Sequence, residues 1–212
     1  MHEWLAGLEL ISHGGFMMYP LLLSALLALT VIFERLYLFH SRYETPSDLV
    51  PKVLGELRAG KIGEASSLCE ASSTPTASVL ATGLKNFSHP IEELELAMKN
   101  QAERWMPILE KRIGVIDTVI TAAPLMGLLG TITGMMASFR VLSVKGVNEP
   151  NAITGGVAEA LIATATGLVI ALLCLVAYNY LATRVKNFTY EIESAASQLV
   201  EVKLATERSS TR

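Results

Sequence analysis

The apolar positions of the chain fall into three long runs, separated by stretches in which apolar residues recur only every third or fourth position. The first run, Phe16 to Phe33, is closed by Glu34 and Arg35, with Tyr19 at one end and Tyr37, Phe39 and Tyr43 at the other, where interfacial aromatics belong. The second run covers about 113–144 and the third about 155–183. At about 1.5 Å per residue, each can cross a hydrocarbon core of roughly 30 Å. The pattern therefore predicts an all-α membrane protein with three transmembrane helices, at 14–39, 113–144 and 155–183.

The stretches between the runs keep a helical period. Thr45-Pro46-Ser47 has the form of a cap and first-turn proline ahead of Leu49, Val53, Leu54 and Leu57, and Gly60 is expected to stop that helix. Two short amphipathic stretches follow, Ile62 to Ala71 and Ala77 to Phe87. After Pro90 a helix is expected with Glu92, Glu93 and Glu95 in its first turns, where the dipole favours acids. No glycine interrupts it before Gly114, so it is expected to run unbroken into the second span, bent but not ended by Pro107. Past the third span, Val185, Phe188, Ile192, Ala195, Leu199 and Val202 continue the period, which predicts one long amphipathic helix. Two of the spanning helices thus extend into a bundle with the three short helices.

Charge sets the expected orientation. Arg35, Arg42, Arg104, Lys111, Arg112, Arg184 and Lys186 flank the spans on one side, whereas residues 1–15 hold no Lys or Arg; only Arg140 and Lys145 run the other way. The positive-inside rule then gives a periplasmic interfacial helix at 1–13, a cytoplasmic helical segment at 40–112, a periplasmic loop at 145–154 and a cytoplasmic tail at 184–212. Without a basic region or small-residue cleavage site before it, the first run reads as an uncleaved span.

Composition narrows the function classes. The 212 residues are 51% hydrophobic and 17% charged, with a mean hydropathy of +0.42, more apolar than a water-soluble domain. A net charge of -3 offers no basic footprint for nucleic acid. Cys69 and Cys174 fall in different environments, so no disulfide is expected, and no metal-ligand spacing calls for a cofactor. No Ser/His pair, His-rich cluster or phosphate-cradling loop suggests an enzyme.

Candidate chemistry lies inside the spans. On the third, Gly156, Ala160, Ala163 and Gly167 step by four and three, a stripe on which another helix can approach closely; Ala123, Gly127, Gly130 and Gly134 form a matching stripe on the second. Glu159 lies on one edge of the third-span stripe with Thr166 below it, and Thr164 lies on the other edge; Thr131 flanks the second stripe. An ionised carboxylate in lipid costs at least ~2.5 kcal/mol and needs a partner, water or a proton, which makes Glu159 a candidate functional carboxylate. A carboxylate one turn inside a helix also suits the positive end of the dipole, so both readings of Glu159 stand at this level. Thr131 has a similar alternative in a bond to its own helix carbonyl. Asp117, near the cytoplasmic end of its span, sits where a carboxylate is cheap. Pro124 frees a backbone carbonyl at membrane depth, which neighbours or water must satisfy.

The segment Ala123-Pro124-Leu125-Met126-Gly127-Leu128-Leu129-Gly130-Thr131-Ile132-Thr133-Gly134-Met135, together with Gly156-Val157-Ala158-Glu159-Ala160-Leu161-Ile162-Ala163-Thr164-Ala165-Thr166-Gly167-Leu168, resembles the paired signature of the MotA/TolQ/ExbB proton-channel family, nearest to its ExbB and TolQ members. That resemblance implies a homo-oligomer, a pentamer, whose second and third spans line a pore around the single spans of an ExbD- or TolR-like partner bearing an intramembrane aspartate. It further implies that the proton motive force drives work carried by a TonB- or TolA-like protein, and an inner-membrane location. By resemblance the pore threonine falls on Thr131, the intramembrane glutamate on Glu159 and the following threonine on Thr164. A membrane scaffold that conducts nothing is the competing reading.

Overall fold

The computed structural model describes residues 15–43, 45–145 and 150–210; the expected interfacial helix at 1–13 and residues 146–149 of the expected loop lie outside them. The described residues form seven α-helices and no strand: α1 (Met18–Leu38), α2 (Leu49–Arg58), α3 (Ile62–Glu70), α4 (Pro75–Lys85), α5 (Ile91–Glu110), α6 (Ile113–Lys145) and α7 (Pro150–Ser210), with a π-helical turn at Phe39–Tyr43 after α1. Among the described residues, three segments are long and apolar enough to cross a bilayer: Met18–Ser41, Ile113–Ser143 and the run beginning at Thr154. The chain is an all-α membrane protein. It divides into two compact units, one of residues 1–33 and 112–180, the other of residues 34–111 and 181–212.

The second of these units is a helical bundle with a continuous apolar interior. Leu54 and Leu57 of α2, Cys69 of α3, Leu80 and Leu84 of α4, Leu94 and Met98 of α5, and Ile192 and Leu199 of α7 are all buried in one cluster. Local signals set its boundaries. Gly60 adopts φ +77° and ends α2, a conformation a Cβ disfavours. At the head of α4, Thr74 Oγ1 accepts from Ala77 N–H at 3.4 Å and Pro75 occupies the first turn. Thr45 does not cap α2, as its position suggested: its hydroxyl donates to Thr76 Oγ1 at 3.1 Å, and Leu49 N–H instead bonds the Pro46 carbonyl at 3.0 Å.

The helix expected to run unbroken into the second span is interrupted. α5 continues past Pro107 but stops at Glu110, and Arg112 takes φ 64° before α6 begins at Ile113. The break removes the helical partner of the Ile108 carbonyl, which would have been the N–H of residue 112. The Arg35 guanidinium fills that position, donating from Nη1 to Ile108 O at 3.2 Å while Nη2 lies 3.8 Å from Glu34 Oε1. Arg35 is buried, and its Nε has no hydrogen-bond partner among the described residues. Phe39 is also buried, not interfacial: its ring meets Phe188 edge-on at 5.4 Å, and Tyr43 meets Trp105 at 6.2 Å, whereas Tyr37 stays exposed.

A second buried cation lies in this unit. Lys203 of α7 donates from Nζ to Phe87 O at 2.7 Å and to His89 O, the carbonyls of the turn between α4 and α5. Glu207 lies 3.5 Å from the ammonium and the Phe87 ring 5.5 Å from it, so the charge is balanced where it is desolvated.

Candidate functional site

In the unit formed by residues 1–33 and 112–180, α6 and the first half of α7 meet through their small residues. A Cβ on Gly127 would lie 3.0 Å from both Ala163 O and Thr164 Cα, one on Gly134 2.9 Å from Gly156 O, and one on Gly167 2.5 Å from Ala123 O. The approaches at Gly134 and Gly167 are closer than real side chains essentially ever make to backbone, and at Gly127 the neighbouring helix would have to give by a few tenths of an ångström. Ala123, Ala160 and Ala163 are buried along the same seam. The head of α1 joins it, because a Cβ on Gly130 would sit 2.6 Å from Ala163 Cβ and 3.5 Å from Met17 Cβ.

The polar residues of the seam have separate partners within one chain. Thr164 Oγ1 donates across the helix pair to Gly127 O at 2.8 Å, which the missing Gly127 side chain permits. Thr131 Oγ1 donates to Leu128 O at 2.7 Å and Thr166 Oγ1 to Ile162 O at 2.8 Å, each within its own helix. Glu159 is partly buried, and its carboxylate lies against the backbone of Gly15, at the turn that precedes α1. Thr131, Glu159 and Thr164 are thus held near one seam without being bonded to each other by these hydroxyls. Asp117 lies on α6, four residues past its start.

Two contributors to this site carry no signal in the small-residue spacing. Ser138 is buried one turn beyond Gly134, donates to Gly134 O at 3.2 Å, and occupies the space a Cβ on Gly156 would need. Gly15 adopts φ +68° and Met18 N–H bonds its carbonyl at 3.1 Å, so it shapes the first turn of α1. Gly15 is visible in the sequence only as a helix breaker; its contact with Glu159 spans a separation no pattern reports.

Outward from the seam the helices carry large apolar side chains. Leu125, Met136 and Phe139 of α6 and Leu161, Leu173 and Val176 of α7 are exposed in the single chain, as are Leu23, Leu26 and Phe33 of α1. Continuous apolar exposure on this scale requires lipid or further subunits.

Small residues inward, large apolar residues outward and three helices long and apolar enough to span a bilayer define a multi-pass helical membrane protein. Its family is settled by comparison: the description "MotA/TolQ/ExbB proton channel family" matches residues 71–194, and the chain belongs to that family. It is similar to ExbB-like protein 3 of Synechocystis sp., a biopolymer transport protein in name, with 34% identity over 168 residues, 78% of this chain and 80% of the relative. It is also similar to the biopolymer transport protein ExbB of Aquifex aeolicus, 41% identical over 79 residues, 37% of this chain and 53% of the relative. The Tol-Pal system protein TolQ of Haemophilus influenzae is 40% identical over 92 residues, 43% of this chain and 39% of that protein.

Proposed function

We propose that this chain is the proton-channel subunit of an ExbB-type motor in the bacterial inner membrane, with its N-terminus periplasmic and its C-terminus cytoplasmic. In this reading it assembles as a homopentamer whose second and third spans enclose the single span of an ExbD-like partner carrying an intramembrane aspartate. The proton motive force then energises a TonB-like protein for outer-membrane transport. The observation that carries the reading is Glu159, a partly buried carboxylate on an apolar helix whose tight seam with α6 falls within the family match.

The chemistry is economical. One proton falling through 100 mV yields about 2.3 kcal/mol, enough to bias an assembly with two nearly balanced states. Glu159 supplies the titratable group, and Thr131, Thr164 and Thr166 supply hydroxyls that keep acceptor lone pairs after donating to carbonyls, so they can order water along a path. Ala123, Gly127, Gly130, Gly134, Gly156, Ala160, Ala163 and Gly167 hold the two helices at the distance that path requires.

Replacing Glu159 by Gln keeps the shape and removes the titration. In cells whose outer-membrane uptake depends on this chain and its single-span partner, Glu159→Gln is expected to reduce uptake to background while the complex still co-purifies. Uptake at the native level would support a scaffold that conducts nothing. The similarity to TolQ proteins favours one second reading, a Tol-Pal-type envelope energiser. Co-purification with a TolR-like protein in preference to an ExbD-like one would select it.

A further inference from the structure

Glu159 and Gly15 are 144 positions apart, yet the structure leaves no room between them: a Cβ on Gly15 would overlap Oε1 of Glu159 and lie 2.6 Å from its carboxyl carbon and 3.0 Å from its Cγ. Gly15 adopts φ +68°, at the turn whose carbonyl receives Met18 N–H as α1 begins. The carboxylate therefore lies beside the positive end of the first spanning helix, where a negative charge is favoured. Met17, two residues on, packs beside Gly130 and Ala163, so the same turn is fixed against the α6–α7 seam.

We propose that Gly15 is a positioning residue for Glu159: the absence of a side chain there makes a seat on the head of α1 in which the carboxylate rests, so the first span sets where the acid of the third span sits. The inference rests on the reading of Glu159 as the proton-path acid, and it gives the first span a part in that path. The contact is asymmetric in what it can yield. The colliding atoms on the Glu159 side are the far end of a flexible side chain, whereas Gly15 is backbone. A methyl group at Gly15 therefore displaces the carboxylate in preference to parting the helices.

The test reads the carboxylate directly. The full chain in detergent or liposomes is treated with a hydrophobic carbodiimide at fixed pH, and modification of residue 159 is followed by mass spectrometry. Gly15→Ala is expected to speed the reaction by about threefold, the scale of one charge leaving a helix terminus. Because any side chain at φ +68° adds backbone strain, Gly60→Ala serves as the control: Gly60 has φ +77° and nothing within 4 Å, and its substitution is expected to leave modification of Glu159 unchanged. Glu159→Asp withdraws the carboxylate by one methylene. In that background Gly15→Ala is expected to have no further effect on the rate.

An unchanged rate in Gly15→Ala, or an equal change in the Glu159 and Glu159→Asp backgrounds, overturns the proposal and leaves Gly15 a structural turn. A rate that responds as expected in a protein whose proton-driven work tolerates Glu159→Gln sustains the seat while removing the energiser reading. The two failures are thereby distinguishable.

Discussion

The helix contacts that organise the two units are built from different residues. In the bundle of residues 34–111 and 181–212, Leu80, Leu94 and Leu199 are wholly inside, and among the described residues Arg35 and Lys203 are the charged side chains that are buried. In the unit of residues 1–33 and 112–180 the interior seam is glycine and alanine, while Leu173 and Phe139 are 65% and 67% exposed. Water drives the first arrangement by expelling large apolar side chains. Lipid tails are as apolar as leucine and expel nothing, so close backbone approach and interhelical hydrogen bonds decide the second.

The contrast can be broken most directly by truncating leucine in each unit. Leu199→Ala is expected to destabilise the bundle by about 3 kcal/mol, since it opens a cavity in a filled core. Leu173→Ala should cost less than about 0.5 kcal/mol in detergent, because its side chain packs on no interior. Thermal unfolding in micelles, followed by amide exchange in each unit, measures both; equal losses would erase the distinction.

Adding a methyl group probes the same contrast from the other side. Gly167→Ala puts a Cβ 2.5 Å from Ala123 O and is expected to cost about 2 kcal/mol of span packing. Gly55→Ala, on a helix with nothing within 4 Å of the new atom, is expected to gain about 0.5 kcal/mol through helix propensity. The same unfolding assay reports the opposite signs.

The smallest effect concerns Cys69 in the bundle. Burial, with a lesser contribution from the charge of Glu70, pushes its thiol from 9.0 up to about 11. The unfolded chain therefore loses this proton before the folded one does, and the contribution of Cys69 to stability, full below pH 9, declines as pH rises from about 9 towards 11. Cys69→Ala should flatten that part of the stability profile. Native Cys69 should also react slowly with maleimide at neutral pH, with unfolding restoring the ordinary rate.

Much of this was written in local pattern. The three apolar runs, the matched small-residue stripes, the stop at Gly60 and the isolated carboxylate at Glu159 follow from spacing alone, because helix periodicity and bilayer thickness act on neighbours in sequence. The stop of α5 at Glu110 was not legible, since no glycine marks it and Arg112 itself takes the left-handed conformation. Thr45 was misread as a cap because its true partner, Thr76, lies 31 residues on.

By itself the sequence determined which segments are helical, which of them are apolar enough to span a bilayer and which faces admit close contact. Only the tertiary structure decided who meets whom: Arg35 finding the Ile108 carbonyl 73 residues away, Lys203 closing a turn 114 and 116 residues before it, and Glu159 settling against Gly15. The physical reason is that periodicity is carried by adjacent residues, whereas a polar group inside a fold takes whichever unsatisfied partner the packing of distant helices brings within reach.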